Sequence, residues 1–507
     1  MKRLLYILSL LPIGLSAQNM YNVSSMFENE LLGTARYVGM GGSMSALGAD
    51  LTTMGTNPAG MAMYRSNDFA ITAGLNVKTN EATYEGTAVN SNNVNAYLGN
   101  AAFVFSLERD GKYLKYLNIG LGYRKKNNLT SDFEMCGYAD GFSQQYVMYQ
   151  LYNTYNTPFD YNNMSSSMYT NLNYSWLTLL AADAYLCDNT GDNFLAYDDS
   201  TLVWTPDDLD FYEEVRGGVS VVDFNLSANF NDRVYLGATV GVANVDYNRY
   251  SAYSESDSYG AIYTLENNAF IKGYGFDLKL GAIFRPFKYS PFKIGLAVHT
   301  PTFYNLNEYY SAAITDPDGK YYTTTDADFY GGDFEVRSKL VTPWRFNAAM
   351  SYTFGTYLAL NAEYEYADYR TAAFTGRSKV GKAQNEEISY NMKAQHTARI
   401  GAELNVDGFA VRLGYNYITA PFASDAYKEL ANASVIETST DYMNRFGKNI
   451  VTAGLGFRGK RFYFDLAYMM EQQESDFYPF YDYDYPNPGA QVSEIDHSVV
   501  ATLGVRF

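Results

Sequence analysis

From Asp68 to the C-terminus, apolar and polar positions alternate with a period of two in runs of about ten residues. The runs are 68–78, 97–107, 115–125, 219–230, 233–247, 273–285, 291–299, 344–354, 357–369, 395–406, 409–418, 449–458, 461–470 and 497–507, about fourteen in all. Alternation sends successive side chains to opposite faces of a strand, and about ten residues let a tilted strand cross a bilayer. In 461–470, Phe462, Phe464, Leu466 and Tyr468 share one face, and Tyr463, Asp465 and Ala467 share the other. In 395–406, Ala398, Ile400, Ala402 and Leu404 oppose Thr397, Arg399, Gly401 and Glu403, and in 409–418 Val411 and Leu413 oppose Arg412. A charge facing the bilayer midplane costs about 2–4 kcal/mol, so the polar set faces a lumen. The connections are sorted as well. Six are short and carry Gly, Asp, Asn or Pro, and seven are long: 79–96, 126–218, 248–272, 300–343, 370–394, 419–448 and 471–496. This predicts an all-β protein, a transmembrane antiparallel β-barrel of about fourteen strands spanning 68–507, with short turns in the periplasm and long loops outside. Its lumen-facing charges are Asp223, Asp277, Lys279, Glu363, Glu365, Arg399, Glu403, Arg412 and Asp465. They form either a salt-bridged wall or a selectivity ring.

Ahead of the strands, Arg36 to Tyr64 has neither period. Six glycines (Gly39, Gly41, Gly42, Gly48, Gly55, Gly60) break any long helix, and Arg36 and Asp50 are its only formal charges. A compact, weakly polar, tightly turned segment needs walls from elsewhere, so residues 18–67 are expected to be a hatch plugging the lumen. Residues 1–17 read as a signal peptide: Lys2 and Arg3, an apolar stretch from Leu4 to Leu15, then Ser16-Ala17. Export to the cell outer membrane as a multi-pass barrel follows.

The remaining composition adds little chemistry. With Tyr 50, Phe 31 and Gly 41, the chain is rich in the residues of a membrane sheet, and its formal charge of −18 is concentrated in the long connections. Three histidines without Cys/His spacing give no metal site, no cofactor is implied, and nucleic acid is not an expected partner. His299, His396 and His497 have no serine of matching parity in a recognisable motif, so an enzyme is not expected. Cys136 and Cys187 both lie in the 126–218 loop subdomain, as a disulfide or as two free thiols. In the same loop Trp176, Leu179 and Leu180 share a helix face, as a binding groove or as the loop's own core.

With plug and strands in hand, the chain resembles the FadL family of hydrophobic-compound transporters, in its Bacteroidetes-type branch. The resemblance is carried by Asn57, Pro58, Ala59 and Gly60 at the end of the hatch, by Ile294–Tyr304, Thr342–Phe346, His396–Glu403 and Val411–Tyr415. It implies passive uptake of hydrophobic small molecules, long-chain fatty acids or similar, through an extracellular loop groove, a plugged lumen and a lateral wall opening near the third strand. There Gly120 and Gly122 face the lumen, marking either the opening or room for the hatch. Were the solute a fatty acid, the lumenal Lys279 and Arg399, and Arg412 nearer the periplasm, are candidate ligand-binding cations. Outer-membrane lipid and lipopolysaccharide surround such a barrel, and a final strand ending in Phe507 resembles the signal read by the barrel assembly machinery. The alternative is a non-transporting surface or adhesion protein whose tyrosine-rich loops bind a partner.

Overall fold

The computed structural model describes residues 20–155, 169, 174–184, 186, 206–325, 334–375, 379–428, 435–481 and 487–507. The expected signal peptide (1–17), Cys187 and most of 156–205 lie outside these residues. Nineteen strands form one antiparallel sheet. In chain order they are β1 (Asp68–Tyr84), β2 (Thr87–Glu108), β3 (Leu114–Asn128), β4 (Ser131–Tyr138), β5 (Asp208–Phe230), β6 (Val234–Asp257) and β7 (Gly260–Phe284). Then come β8 (Lys293–His299), β9 (Phe303–Thr315), β10 (Tyr321–Thr323), β11 (Phe334–Val341), β12 (Arg345–Phe354), β13 (Leu358–Asp368) and β14 (Ala373–Phe374). The last are β15 (Ala394–Val406), β16 (Phe409–Ile418), β17 (Tyr442–Arg458), β18 (Phe462–Tyr478) and β19 (Ala490–Arg506). β1 pairs with β19 from Asp68↔Arg506 to Thr83↔Gln491, which closes the barrel.

The wall has fourteen staves. β8 and β9 both pair with β7 and are one stave broken at Thr300-Pro301-Thr302. β11 and β12 are a second, broken at Thr342-Pro343-Trp344 beside the first. Proline lacks the N–H that a ladder needs, so each stave loses its regular pairing there. β4 prolongs β3 beyond the membrane along β5.

Outward and inward faces follow the parity read from the sequence. Phe462, Phe464, Leu466, Tyr468, Ile400, Leu404, Val411 and Leu413 are exposed, whereas Asp465, Arg399, Glu403 and Arg412 are buried in the lumen. The first and last strands of the wall meet at the short-turn end, where Asn67 and Phe507 exchange backbone hydrogen bonds of 3.2 Å. Asp407 and Gly408 adopt φ of 48° and 89° in a two-residue hairpin turn, the conformation Asp-Gly favours.

The opposite end departs from the expectation of long loops. β5, β6 and β7 run on for 23, 24 and 25 residues, far past the bilayer. On β6 the outward residues change from Leu236, Val240 and Val242 to Asn244, Asp246 and Asn248, which marks the membrane surface. Above it the strand tips, α3 (Gln145–Tyr155) and α4 (Trp176–Asp183) enclose a separate apolar dome.

The hatch lies inside. α1 (Met20–Phe27), α2 (Ala35–Gly39) and two 3₁₀ turns, Leu51–Gly55 and Pro58–Met63, carry it, and most of residues 31–63 is buried. As the glycines dictate, no helix between Arg36 and Tyr64 exceeds six residues.

Candidate functional site

The hatch rests on glycines. A Cβ at Gly237, Gly281, Gly295, Gly401 or Gly414 would come inside 3.0 Å of Pro58, Asn57, Ser45, Met40 or Gly41 respectively. Gly237 faces Gly281 across β6 and β7, and Gly401 faces Gly414 across β15 and β16. Two bare patches of wall therefore accept hatch backbone directly. Over the first patch sits the expected hatch motif. Asn57 is fully buried; its Oδ1 accepts from Ala59 N (3.2 Å), and its Nδ2 donates to Ser45 O (2.7 Å) and Ala282 O (3.4 Å). Pro58 opens the 3₁₀ turn, and Gly60 N donates to Asn57 O at 2.9 Å.

Around the glycines the lumenal charges form a belt of ion pairs. Arg36 Nε and Nη2 donate to both oxygens of Glu403 (2.8 and 2.9 Å), tying the hatch to β15. Arg412 donates to Glu403 and Asp465, each at 2.6 Å. Arg399 pairs with Glu363 (3.0 Å) and Glu365 (3.3 Å), and Lys279 with Asp277 and Asp223. The three candidate ligand-binding cations, Lys279, Arg399 and Arg412, thus each hold two wall carboxylates. The carboxylates on Arg399 come from β13, across the Glu363↔Arg399 register, not from Glu403 on its own strand.

Above this belt the side of the lumen walled by β5–β7, β9 and β11 turns apolar, while the side walled by β1 and β17–β19 keeps ion pairs, Lys78 with Glu494 and Lys448 with Glu28 and Glu471. Val219, Val221, Val245, Ile271, Leu306 and Leu340 line the chamber, and α1 sits in it through Met20 and Met26. Lys126 Nζ donates to Met26 O (3.1 Å), Asn127 Nδ2 to Ser25 O, and Asn128 N to Glu30 (2.8 Å). Among the described residues Lys126 has no carboxylate within ion-pair distance, and its Nζ lies 6.0 Å from the centroid of the Tyr304 ring. Sequence reasoning missed α1 and Lys126. Met20, Val23 and Met26 at three-residue spacing were the available signal for the helix.

The wall is closed at Gly120 and Gly122. Gly120 pairs with Val104 on one side and Asn225 on the other, and a Cβ at either glycine would meet Met54 of the hatch. The expectation of an opening at these residues is therefore corrected. They make room for the plug, because a strand flanked by two intact ladders leaves no gap. The β2–β3 ladder instead ends at Asn100↔Arg124, and β2 above it pairs with β1 alone. Side chains span that seam. Asn93 Nδ2 donates to Asp132 Oδ2 (2.8 Å), and Ser91 Oγ and Asn80 Nδ2 donate to Asp132 O (3.0 and 2.7 Å), while Arg216 of β5 braces Asp132 from its own side of the seam (Nη1 to Oδ1, 2.5 Å).

The dome covers the mouth. Trp176, Leu179 and Leu180 are buried in it with Phe133, Phe211 and Phe477, so they form the loop's own core rather than an open groove. Trp176 N donates to Val435 O (2.7 Å) and its Nε1 to Tyr169 O (3.0 Å). Glu255, buried above the membrane, accepts from Ser143 Oγ, Gln144 N, Tyr253 and Tyr263; burial pushes its carboxyl above the ordinary range. Cys136 is half-buried on β4.

Inside the barrel the cavities are small, about 30, 60 and 100 Å³. Two larger hollows, about 560 and 540 Å³, lie on the outward-facing wall.

No protein-family model matches the chain, and no curated protein matches it significantly. Solved structures do. A Pseudomonas aeruginosa FadL homologue aligns over 94% of this chain and 99% of its own, with a TM-score of 0.56 at 10% identity. The P. putida toluene transporter TodX aligns over 94% and 99%, with a TM-score of 0.51 at 11% identity. A deltaS2 mutant of the TodX monoaromatic hydrocarbon channel aligns over 94% and 100%, with a TM-score of 0.53 at 12% identity. At these identities the likeness is one of fold: the chain is an outer-membrane-type β-barrel of the FadL-type architecture.

Proposed function

We propose that this barrel takes up hydrophobic small molecules passively across the outer membrane. The observation that carries the reading is the apolar chamber above the charged belt. A water-filled barrel has a polar interior, whereas here inward-facing Val221, Val245, Ile271, Leu306 and Leu340 need an apolar occupant, and α1 supplies one in the closed state. The fold shared with a toluene transporter supports the same reading.

In this scheme a solute enters beneath the dome and displaces α1, burying its own surface where Met20 and Met26 had been. If it carries a carboxylate, Lys126, released from Met26 O, is the cation it meets. It leaves sideways into the bilayer, since returning each CH₂ to water costs about 0.8 kcal/mol. The exit we assign is the seam between β2 and β3 above the Asn100↔Arg124 pair, where the ladder has already ended.

The test is uptake of toluene, decanoate and oleate by cells that lack their own channel for them and express this chain. Expected is faster entry of at least one apolar probe than in empty-vector cells, with no entry of a hydrophilic trisaccharide. Equal entry of all three apolar probes with and without the barrel would sink the proposal.

A further inference from the structure

Above the membrane, the outward cations of the described wall strands are confined to one flank. Above the aromatic boundary, the outward-facing lysines and arginines on or beside the wall strands include Lys125, Arg216, Lys272, Arg337, Lys339, Arg370 and Lys393, all between β3 and β15. On the other flank, from β16 through β19 to β2, the outward positions at that height are Asn449, Gln472, Glu474, Ser493, Glu81 and Asn92, with no lysine or arginine among the described strand residues. In a chain of formal charge −18, this segregation calls for an anionic neighbour on one side only.

Strand register brings three of the cations together. Lys272 on β7 lies opposite Asn307 on β9, which lies opposite Arg337 on β11. One outward step lower, Tyr274, Asn305 and Lys339 form the next row, and below it come Phe276, Phe303 and Val341. Two strand spacings separate Lys272 from Arg337, about 10 Å. The acids nearby do not neutralise the patch firmly. Arg337 pairs with Glu335 at 3.0 Å, but its side chain is 77% exposed, and such a pair is worth little and is readily exchanged. Asp246 stands beside Lys272, while Lys339 faces Asn305. Lys272 is held over the Phe270 ring, 4.4 Å from its centroid.

Directly below on the same staves is the lipid-facing hollow of about 540 Å³, lined by Leu280, Leu296, Val298, Phe346, Ala348 and Tyr364. From Leu280 up to Tyr274 is six residues, about 20 Å along the strand and about 15 Å along the bilayer normal at a typical tilt. That is the depth of one leaflet of hydrocarbon. An acyl chain in the hollow therefore brings its headgroup to the cations.

We propose that this flank is a binding site for a phosphorylated, multiply acylated glycolipid of the outer leaflet. Its phosphates lie among Lys272, Arg337 and Lys339, its sugar hydroxyls against Asn305 and Asn307, and an acyl chain in the hollow between β7 and β13. The inference rests on the outer-membrane barrel, not on the uptake reading, and holds whether or not the lumen conducts.

The experiment uses the full mature chain in detergent micelles, titrated with bis-phosphorylated hexa-acyl lipid A, with the same lipid after dephosphorylation, and with phosphatidylglycerol, read by native mass spectrometry. Expected is tightest binding of the phosphorylated lipid A. A Lys272→Gln, Arg337→Gln, Lys339→Gln triple variant should lose tenfold or more. Ala348→Trp, which fills the hollow, should weaken both lipid A forms alike. The substituted side chains face outward, and the heat-dependent gel shift of a folded barrel verifies assembly. Wild-type affinity in the triple variant, equal binding of dephosphorylated lipid A, or equal binding of phosphatidylglycerol each overturns the proposal.

Discussion

Gly281→Ala is the smallest change that should unseat the hatch. The new methyl would stand well inside 3.0 Å of Asn57 Oδ1. Asn57 cannot swing aside freely, because the same oxygen caps Ala59 N and its amide nitrogen holds Ser45 O at 2.7 Å. Overpacking of this kind costs about 1–3 kcal/mol, and loss of the Asn57 cap adds about 1 kcal/mol. Gly281 stays in β7 whether the hatch is seated or released, so the unfolded-chain gain from replacing a glycine cancels. The net is about 2–4 kcal/mol against the seated hatch, a shift of about 30- to 700-fold in the seated-to-released ratio. Gly99→Ala is the control, since a Cβ there meets nothing nearer than 3.5 Å. Planar-bilayer recording should show more frequent openings for Gly281→Ala than for wild type, with Gly99→Ala unchanged. The Gly281→Ala, Asn57→Ala double variant should open no more than Asn57→Ala alone, because the clashing oxygen is gone. If Gly281→Ala assembles and its openings match those of Gly99→Ala, the glycine cradle does not hold the hatch.

Three further outcomes follow from the seam and the dome. Asp132→Ala removes the acceptor of Asn93 across the seam and of Arg216 on the neighbouring β5; entry of the apolar probe should rise in uptake assays, and an unchanged or lower rate would remove the exit from this place. Trp176→Ala should destabilise the dome by about 3–5 kcal/mol, so that protease added to intact cells cuts near α4 while the barrel keeps its gel shift. Glu255 has its folded pKa raised by burial, so its contribution is present at low pH and fades as pH rises through the folded value. The dome should therefore resist protease better in acid than at neutral pH relative to Glu255→Gln, in which that difference shrinks.

The period-two pattern was sufficient for the staves, their inward and outward faces and the end at which the first and last strands of the wall meet. Each of these depends on residues within one strand or one turn, and the lipid enforces parity at about 2–4 kcal/mol for each misplaced charge. The hatch was legible for a similar reason, since six glycines in Arg36–Tyr64 exclude both regular periods. Pairings were not legible. Parity shows that Arg399 points inward, but only the stagger of β13 against β15 decides that it meets Glu363 and Glu365 while Glu403 goes to Arg36 and Arg412. The same holds for Trp176, whose helix face looks alike in sequence whether it lies open or beneath Phe477. The inward glycines were visible one by one, yet their meaning came from Gly237 facing Gly281 under Asn57 and Pro58. Where the wall unzips was decided by β3 leaving β2 above the Asn100↔Arg124 pair while staying on β5. Register between strands far apart in sequence is set by closure of the whole barrel, a condition that involves every stave at once.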